Sequence, residues 1–175
     1  MNLVSIISVN NLIKETSQQQ VIEQLIKLYR DVIINDPDCL NIVYDFIDET
    51  LITSYIDNIN KHDLGFCYIK NNQIIGFIKG WRLDFKCSHI LSNSTLLVAP
   101  EYQKSILGVG ARLMKHFISE INNLSDIKLY EIKSVDYNVH FYEKLGLQVI
   151  YRNIYGSQLS DGNFQALNTM VKYYN

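Results

Sequence analysis

Residues 95–114 constrain this chain more than any other segment does. They read as a short strand, Thr95–Val98, then Pro100, then a polar loop that reaches Gly108-Val109-Gly110 at the start of an amphipathic helix. Pro100 ends the strand, because proline has no N–H to donate to a sheet. Where a glycine-bearing loop enters a helix, several backbone N–H groups and the positive end of the helix dipole point to one place. The segment therefore predicts a cradle for a pyrophosphate group.

The glycines of this loop also have a plainer interpretation. Gly108 and Gly110 are compatible with nothing more than a tight turn before a helix. No third glycine follows at residue 113, and no strand–helix–strand unit surrounds the loop, so the dinucleotide-binding fingerprint is excluded.

Hydrophobic spacing predicts the remaining elements. A capping box at Thr16-Ser17 opens the first helix, and Asp36-Pro37-Asp38 ends it. The other predicted elements, in chain order, are a strand at Leu3–Val9, a helix over residues 42–59, strands at 66–70 and 74–83 joined by an Asn71-Asn72-Gln73 turn, a polar loop at 84–94, a helix from about Gly110, a strand at Ile127–Lys133, a short helix over Tyr137–Leu145 capped by Asp136 and closed by Gly146, and strands at 148–155 and 166–173 around a Ser160-Asp161-Gly162 turn.

This order of elements predicts an α/β (α+β) fold with a mixed, mostly antiparallel sheet flanked by about four helices. The helix-free run from Gly65 to Val98 argues against a repeating parallel architecture. A chain of 175 residues without repeats or a Pro/Gly-rich linker suits a single domain, 1–175.

Composition excludes several classes of partner. The net charge of -2 gives no basis for electrostatic capture of nucleic acid or of an anionic membrane. No signal peptide or membrane span is recognisable. Cys39, Cys67 and Cys87 are far apart, which indicates reduced thiols in a cytoplasmic protein and no metal site.

A second informative segment is Val135–Leu147, whose core is Phe141-Tyr142-Glu143-Lys144-Leu145-Gly146-Leu147. Together with Val98-Ala99-Pro100, Gln103 and Gly108-Val109-Gly110, it resembles the two signatures of the GNAT acetyltransferase family. That family has Val-x-Pro, two residues, Arg or Gln, and Gly-x-Gly or Gly-x-Ala, and later Phe-Tyr, three residues and Gly-Phe. The resemblance covers nearly the whole chain and implies the GNAT-type acyl-CoA N-acyltransferase fold.

The resemblance also implies acetyl-CoA as co-substrate. The residues that it assigns to acetyl-CoA are Leu97, Val98, Gln103, Lys104, Ser105, Gly108, Val109, Gly110, Ala111, Asn138 and Tyr142. Two departures from the family pattern concern this set. Four residues separate Gln103 from Gly108 where the family has two, so counting back from the glycines places Ser105 at the Arg/Gln position. The family's frequent asparagine is Val135 here, which leaves Ser134 or Asn138 to contact the pantetheine arm.

Acetyl transfer to an amine needs an oxyanion donor, an acid and a base. By the resemblance, the backbone N–H at about Val98 polarises the thioester carbonyl and Tyr142 protonates the leaving thiolate. Many relatives place a glutamate on the strand before Val98, but residues 92–95 have no carboxylate. The candidates for the base are Glu131, His89 and Asp84.

The predicted function is therefore transfer of an acetyl group to a primary amine of a small molecule or protein. The alternatives are a non-catalytic GNAT-fold CoA-binding module and an interaction protein whose acidic helix, residues 41–60, docks a basic partner. The chain is expected to be a monomer or a homodimer. The aromatic candidates for the acceptor site are Tyr44, Tyr55, Trp81, Tyr151 and Tyr155.

Overall fold

The computed structural model describes residues 4–35, 47–61, 63–82, 89–158 and 164–174. The described elements, in chain order, are β1 (Val4–Ser8), α1 (Val9–Glu15), α2 (Gln18–Asn35), α3 (Glu49–Lys61), β2 (Leu64–Lys70), β3 (Gln73–Arg82), β4 (Ile90–Val98), α4 (Val109–Asn122), β5 (Leu129–Val135), α5 (Val139–Glu143), β6 (Gln148–Gln158) and β7 (Phe164–Tyr173). Short 3-10 turns at Pro100–Tyr102 and Asp136–Asn138 precede α4 and α5.

The seven described strands form one sheet in the order β1-β2-β3-β4-β5-β7-β6. All neighbours are antiparallel except β4 and β5, which are parallel. The predicted mixed, mostly antiparallel fold is confirmed, with five α-helices among the described residues where about four were expected.

The helices pack on the two faces of the sheet. On one face, a Cβ on Gly76 would lie 2.7 Å from Val109, and one on Gly80 would lie 2.5 Å from Phe117, so α4 rests directly on β3. On the other face, the ring of Tyr29 from α2 lies 6.2 Å from that of Phe77. We call these the α4 face and the α2 face. Because neighbours along a strand alternate between faces, the register assigns each remaining side chain to one of them.

The N-terminal strand, β1, is shorter than predicted, and the sequence did not predict α1. Ser8 ends β1, and its hydroxyl accepts a hydrogen bond from the Asn11 N–H at 3.4 Å, which caps α1. Val9 and Leu12 are buried against the core. With only seven residues, α1 gives too short a periodic signal to be recognised.

The capping prediction for α2 is confirmed, because the Ser17 hydroxyl accepts from the Gln20 N–H at 3.2 Å. The helix predicted from residue 42 begins only at Glu49, because the Asp48 carboxylate caps it by accepting from the Leu51 N–H at 2.8 Å. Residues 36–46, with the predicted Asp36-Pro37-Asp38 stop and Tyr44, lie outside the described residues, as does the Ser160–Gly162 turn.

The turn between β2 and β3 agrees with the prediction, whereas the start of β4 does not. Asn71 and Asn72 both have positive φ (51° and 63°), the conformation that tight hairpin turns require, as the sequence predicted. A polar loop was predicted over residues 84–94, of which residues 84–88 lie outside the described ones. From Ile90 onward the prediction is wrong, because β4 begins there and its first four residues pair with the start of β5. That pairing outweighs the weak strand propensity of Ser and Asn.

Candidate active site

The sheet divides between β4 and β5. The two strands pair over four residues, from Ile90↔Leu129 to Asn93↔Ile132. Beyond this point β4 continues to Val98 beside β3 alone, and the last residues of β5 pair with β7 alone. The two strands therefore diverge at their carboxyl ends and leave a wedge in the middle of the sheet. Ligands of α/β proteins bind in such positions.

A β-bulge marks the start of the wedge. Lys79 pairs with Thr95 and Gly80 pairs with Asn93, so Ser94 is an extra residue on β4. A bulge bends its strand and increases the local twist, which turns β4 away from β5.

The backbone of β4 presents donors to this wedge. The Ala99 N–H donates to the Ile75 carbonyl at 2.9 Å, and hydrogen-bonded positions alternate along an antiparallel pair. Leu97 therefore bonds to β3, while the N–H groups of Leu96 and Val98 point away from β3 into the wedge. The sequence had singled out Val98; Leu96 was missed, because strand alternation becomes assignable only once the register is known.

The loop after β4 folds in short turns. The Gln103 side-chain amide donates to the Val98 carbonyl at 3.0 Å, which ties the predicted Arg/Gln position to the end of the strand. Lys104 has a positive φ of 56°, and the N–H of Gly108 donates to the Ser105 carbonyl at 3.0 Å. The Ser105 hydroxyl oxygen is buried and has no hydrogen-bond partner among the described residues.

The start of α4 completes the cradle. Gly108 precedes it with a φ of 54° and no capping side chain, and the first helical bond runs from the Arg112 N–H to the Gly108 carbonyl. The N–H groups of Val109, Gly110 and Ala111 thus lack intrahelical partners, as the first donors of any helix do. Because the first turn of α4 carries no acidic side chain, these donors suit an anion.

The cradle and the wedge are adjacent. A Cβ on Gly110 would lie 3.5 Å from a methyl group of Val98. Nothing lies within 4 Å of the Cβ position of Gly108, so a bulky group can approach there. The donors, the orphaned Ser105 hydroxyl and this open space fit the pyrophosphate of a CoA thioester.

Tyr142 lies on α5, which follows the carboxyl end of β5 and so begins at the same edge of the sheet as α4. Its ring packs edge-on against Phe141 at 4.9 Å. Burial raises the pKa of Tyr142 to about 12, so its phenol holds its proton at all ordinary pH values. Asn138 is exposed at the start of α5, while the buried Ser134 hydroxyl donates to the Val135 carbonyl at 3.1 Å.

Asp136 does not cap α5, and that prediction is wrong. Its carboxylate accepts from the Arg152 guanidinium and, at 2.7 Å, from the Asn168 side-chain amide. The hydrogen bonds from Arg152 and then Asn168 hold the pKa of Asp136 below its usual range. These bonds attach the turn before α5 to β6 and β7.

The three candidates for the base occupy different places. Glu131 pairs in register with Ser92, one residue before the wedge opens, and its carboxylate lies 3.5 Å from the Lys133 ammonium on the α2 face. His89 precedes β4, nine residues from Val98, or roughly 30 Å of extended strand, so it does not belong to the site. Asp84 lies outside the described residues.

A polar and aromatic group on the α2 face borders the wedge. The Tyr29 hydroxyl donates to the Thr95 hydroxyl at 3.3 Å. The buried Lys79 ammonium lies 3.4 Å from Asp63 and 4.7 Å from the ring centre of Tyr55. The Trp81 ring centre is 5.4 Å from the same ammonium group.

Of the aromatic acceptor candidates, the structure thus brings Tyr55 and Trp81 together. Tyr151 and Tyr155 lie on β6, four strands from β3 and therefore about 19 Å away. The sequence missed Tyr29, Thr95, Lys79 and Asp63, since only the packing of α2 on β3 and β4 brings their segments together.

The sequence model for the acetyltransferase (GNAT) domain matches residues 61–149, about half of the chain and both signature segments. The chain belongs to the GNAT acetyltransferase family. No match is found among curated proteins.

Solved GNAT proteins share the fold. The ribosomal-protein-S18-alanine N-acetyltransferase of Escherichia coli is 17% identical, with 99% of this chain and 94% of that one covered and a TM-score of 0.67. The ribosomal-protein-alanine N-acetyltransferase of Brucella melitensis is 15% identical (98% and 99% covered, TM-score 0.78). A putative acetyltransferase from Salmonella typhimurium, solved with its cofactor acetyl-CoA, is 12% identical (99% and 95% covered, TM-score 0.80).

The described part of this GNAT protein has neither a membrane-spanning helix nor a cluster of metal ligands. Within the described ranges, no helix is long and apolar enough to cross a membrane. Among the same residues, no three His, Cys, Asp or Glu side chains gather in a way that would hold a metal ion.

Proposed function

We propose that this protein is an N-acetyltransferase that moves the acetyl group of acetyl-CoA to a primary amine of a small molecule or a protein. One observation carries the proposal: the wedge donors of Leu96 and Val98 lie beside the unpartnered N–H groups that begin α4. A thioester with a pyrophosphate needs both kinds of donor, in that order along its length. The GNAT membership of the chain supports the same conclusion.

The residues at the wedge would divide the chemistry as follows. The Leu96 or Val98 N–H donates to the thioester oxygen as negative charge develops on it. The amine nitrogen bonds to the carbonyl carbon, the carbon–sulfur bond breaks, and the sulfur takes a proton from the Tyr142 phenol. With its raised pKa, Tyr142 is fully protonated before each turnover.

The amine would approach from the α2 face, since α4 packs on the opposite face of β3. Glu131 lies on this face and is partly exposed, so a water between it and the amine can carry the proton away. Thr95, held by the Tyr29 hydroxyl, borders the same approach. The acceptor site would therefore be lined by Tyr55 and Trp81, which are partly exposed, while Tyr29 is buried behind them.

The seven strands within the described ranges share one sheet, which supports a single domain over 1–175. Cys67 is a buried free thiol, and burial raises its pKa, so it is unreactive. Such a thiol is compatible with the cytoplasmic location that we propose.

The test is calorimetric titration with acetyl-CoA, followed by a thiol-release assay over a panel of small amines and peptides. We expect saturable binding and turnover with at least one amine. Tyr142→Phe should lower kcat about 100-fold with little change in acetyl-CoA affinity, the low end for a lost general acid. Tyr137→Phe is the matched control, because that tyrosine is exposed.

A second candidate function is that of a non-catalytic CoA-binding module. It rests on the missing carboxylate on β4 before Val98, where many relatives carry a glutamate. Position 92, beside Glu131 of β5, is a serine. Saturable binding of acetyl-CoA, without release of the CoA thiol in the presence of any amine, would favour this candidate. Absence of acetyl-CoA binding would contradict both candidates.

A further inference from the structure

Three hydroxyl groups on the α2 face are joined in series by hydrogen bonds. The Tyr29 hydroxyl bonds to the Thr95 hydroxyl at 3.3 Å. A second hydrogen bond joins the hydroxyls of Tyr29 and Tyr55, whose ring centres lie 6.2 Å apart. We call Thr95, Tyr29 and Tyr55 the hydroxyl triad.

One end of the triad lies at the wedge. The last paired residues of β4 and β5 are Asn93 and Ile132, so Thr95 belongs to the part of β4 that has no β5 partner. Its hydroxyl is on the α2 face, because α2 bonds to it there. The next residue, Leu96, directs its N–H into the wedge. An amine that approaches a thioester in the wedge from the α2 face therefore meets the Thr95 hydroxyl.

The other end of the triad reaches solvent. Tyr29 is only 8% exposed, whereas Tyr55 is partly exposed. The triad thus leads from the wedge, through a buried phenol, to a phenol that water can contact. A hydroxyl both donates and accepts hydrogen bonds, and its hydrogen rotates. A proton that enters at Thr95 can therefore leave at Tyr55 without leaving a charge on any of the three groups.

Acetyl transfer to an amine requires such an exit. An alkylamine has a pKa of about 10, so it arrives at neutral pH as an ammonium ion. Residues 92–95 of β4 carry no carboxylate that could take its proton. Glu131 pairs in register with Ser92, three residues before Thr95, or roughly 10 Å along the strand. Glu131 would therefore act only through water, whereas the triad begins beside the Leu96 N–H.

We infer that Thr95, Tyr29 and Tyr55 form a proton relay that carries a proton of the acceptor ammonium group to solvent. The inference rests on the proposed acetyl transfer. The nitrogen gives one proton to the Thr95 hydroxyl, whose own proton passes to Tyr29, then to Tyr55 and finally to water. The neutral amine then attacks the thioester. The second proton, which the nitrogen loses as the carbon–nitrogen bond forms, replaces the proton that Tyr142 gives to sulfur.

The surroundings of the triad keep it neutral. Lys79 of β3 contacts it, since the ammonium group lies 4.7 Å from the ring centre of Tyr55, but Lys79 is paired with Asp63 at 3.4 Å. This pair brings no net charge. Burial raises the pKa of Tyr29 and that of Tyr55 above the ordinary value of 10.0, so both phenols keep their protons at neutral pH. The effect of the relay on rate should therefore follow the ionisation of the amine.

The test is the rate of thiol release against pH, with an amine that the wild-type protein acetylates. Tyr29→Phe keeps the ring and removes the hydroxyl. It should lower kcat about tenfold at pH 7 with little change in KM for the amine, less than the loss of a general base, because water carries part of the protons. Near pH 10 much of the amine arrives neutral, so the rate of Tyr29→Phe should approach that of the wild type. A merely structural defect would lower the rate equally at both pH values.

Three further variants control for other causes. Tyr130→Phe is the matched control and should keep the wild-type rate, because Tyr130 is a buried tyrosine of the same sheet that packs against Phe117 on the α4 face. Thr95→Val should repeat the loss seen in Tyr29→Phe, and Thr95→Ser, which keeps a hydroxyl, should restore the rate. Glu131→Gln should lower kcat less than Tyr29→Phe does.

Circular dichroism verifies that each variant is folded, and the two Thr95 variants carry the test if Tyr29→Phe is not. An active wild type with an unchanged kcat in Tyr29→Phe at pH 7 overturns the relay and leaves the proposed function intact. A loss that is equal at pH 7 and pH 10, or that Thr95→Ser shares with Thr95→Val, also overturns it. A wild type that releases no thiol with any amine contradicts the proposed function itself, and the relay with it.

Discussion

The N–H of Ala99 donates to the carbonyl of Ile75 at 2.9 Å, and this bond sets the direction of the neighbouring peptide groups. Because hydrogen-bonded positions alternate along the β3–β4 pair, the backbone N–H and carbonyl groups of Val98 point away from β3. Its carbonyl is then reached by the Gln103 side chain, and its N–H is directed into the wedge.

The Gln103 contact predicts a graded effect on acetyl-CoA affinity. Gln103→Ala removes one hydrogen bond, worth about 1 kcal/mol, so we expect about fivefold weaker binding by calorimetry. Gln103→Glu also brings a negative charge to the Val98 carbonyl and the pyrophosphate cradle, and should weaken binding more than tenfold. Added salt should reduce the difference in acetyl-CoA affinity between the two variants, because it screens that charge. Equal losses at all salt concentrations would contradict this role.

Gly108 allows conformational strain to be measured without a steric clash. A Cβ there meets nothing within 4 Å, but the φ of 54° is unfavourable for alanine. We expect Gly108→Ala to lower the free energy of unfolding by about 1–2 kcal/mol. Gly108→Asn should lower it less, because asparagine tolerates this conformation. Urea denaturation of both variants measures the difference, and equal losses would argue against strain as the cause.

Gly76 lets α4 approach β3. A Cβ at this position would lie 2.7 Å from Val109 and 2.9 Å from Leu113, so Gly76→Ala must displace the first turn of α4. We expect a loss of about 1–3 kcal/mol of stability by urea denaturation, together with weaker acetyl-CoA binding. Gly110→Ala is the control for stability, since its Cβ would make an ordinary 3.5 Å contact with Val98. Unchanged stability in Gly76→Ala would contradict the close packing.

The raised pKa of Tyr142 predicts how the rate of acetyl transfer depends on pH in the alkaline range. A general acid acts in its protonated form, and burial raises the pKa of Tyr142 to about 12. The wild-type rate should therefore show no decline from this residue up to about pH 10, the usual pKa of a tyrosine. The profile of Tyr142→Phe should be lower but of the same shape. A decline near pH 10 that disappears in Tyr142→Phe would show that the phenol is not shielded.

Asp136 predicts an acid-dependent contribution to stability. Its pKa is lowered in the folded protein, first by the Arg152 hydrogen bond, from an ordinary value of 3.8. A group with a lowered folded pKa stabilises above its unfolded pKa, and that stabilisation is lost as pH falls through the folded value. Asp136→Asn and Arg152→Gln should both lower the melting temperature at pH 7. These differences should shrink as the pH falls through the lowered pKa of Asp136 and disappear once its carboxylate is protonated. A difference that persists after protonation would indicate a contribution other than charge.

Local patterns predicted much of this protein. The Ser17 cap, the Asn71-Asn72 turn and the closing glycine after α5, Gly146 with a φ of 84°, each depend on neighbours within a few residues. The two signature segments identified the family for the same reason, since each is short and continuous. Where a signal was too short, as for the seven residues of α1, this approach failed.

Contacts between distant segments decided the rest. Asp136 has the residue type of a helix cap, yet Arg152 and Asn168, far along the chain, occupy its carboxylate. The wedge depends on the bulge at Ser94 and on the end of the β4–β5 pairing at Ile132, beyond which β5 pairs with β7 alone. Periodicity states which residues of a strand share a face, but not which strand lies beside it. The sequence alone therefore determined most of the elements and both motifs. Tertiary pairing decided the wedge, because strand partners are chosen by packing across the whole sheet.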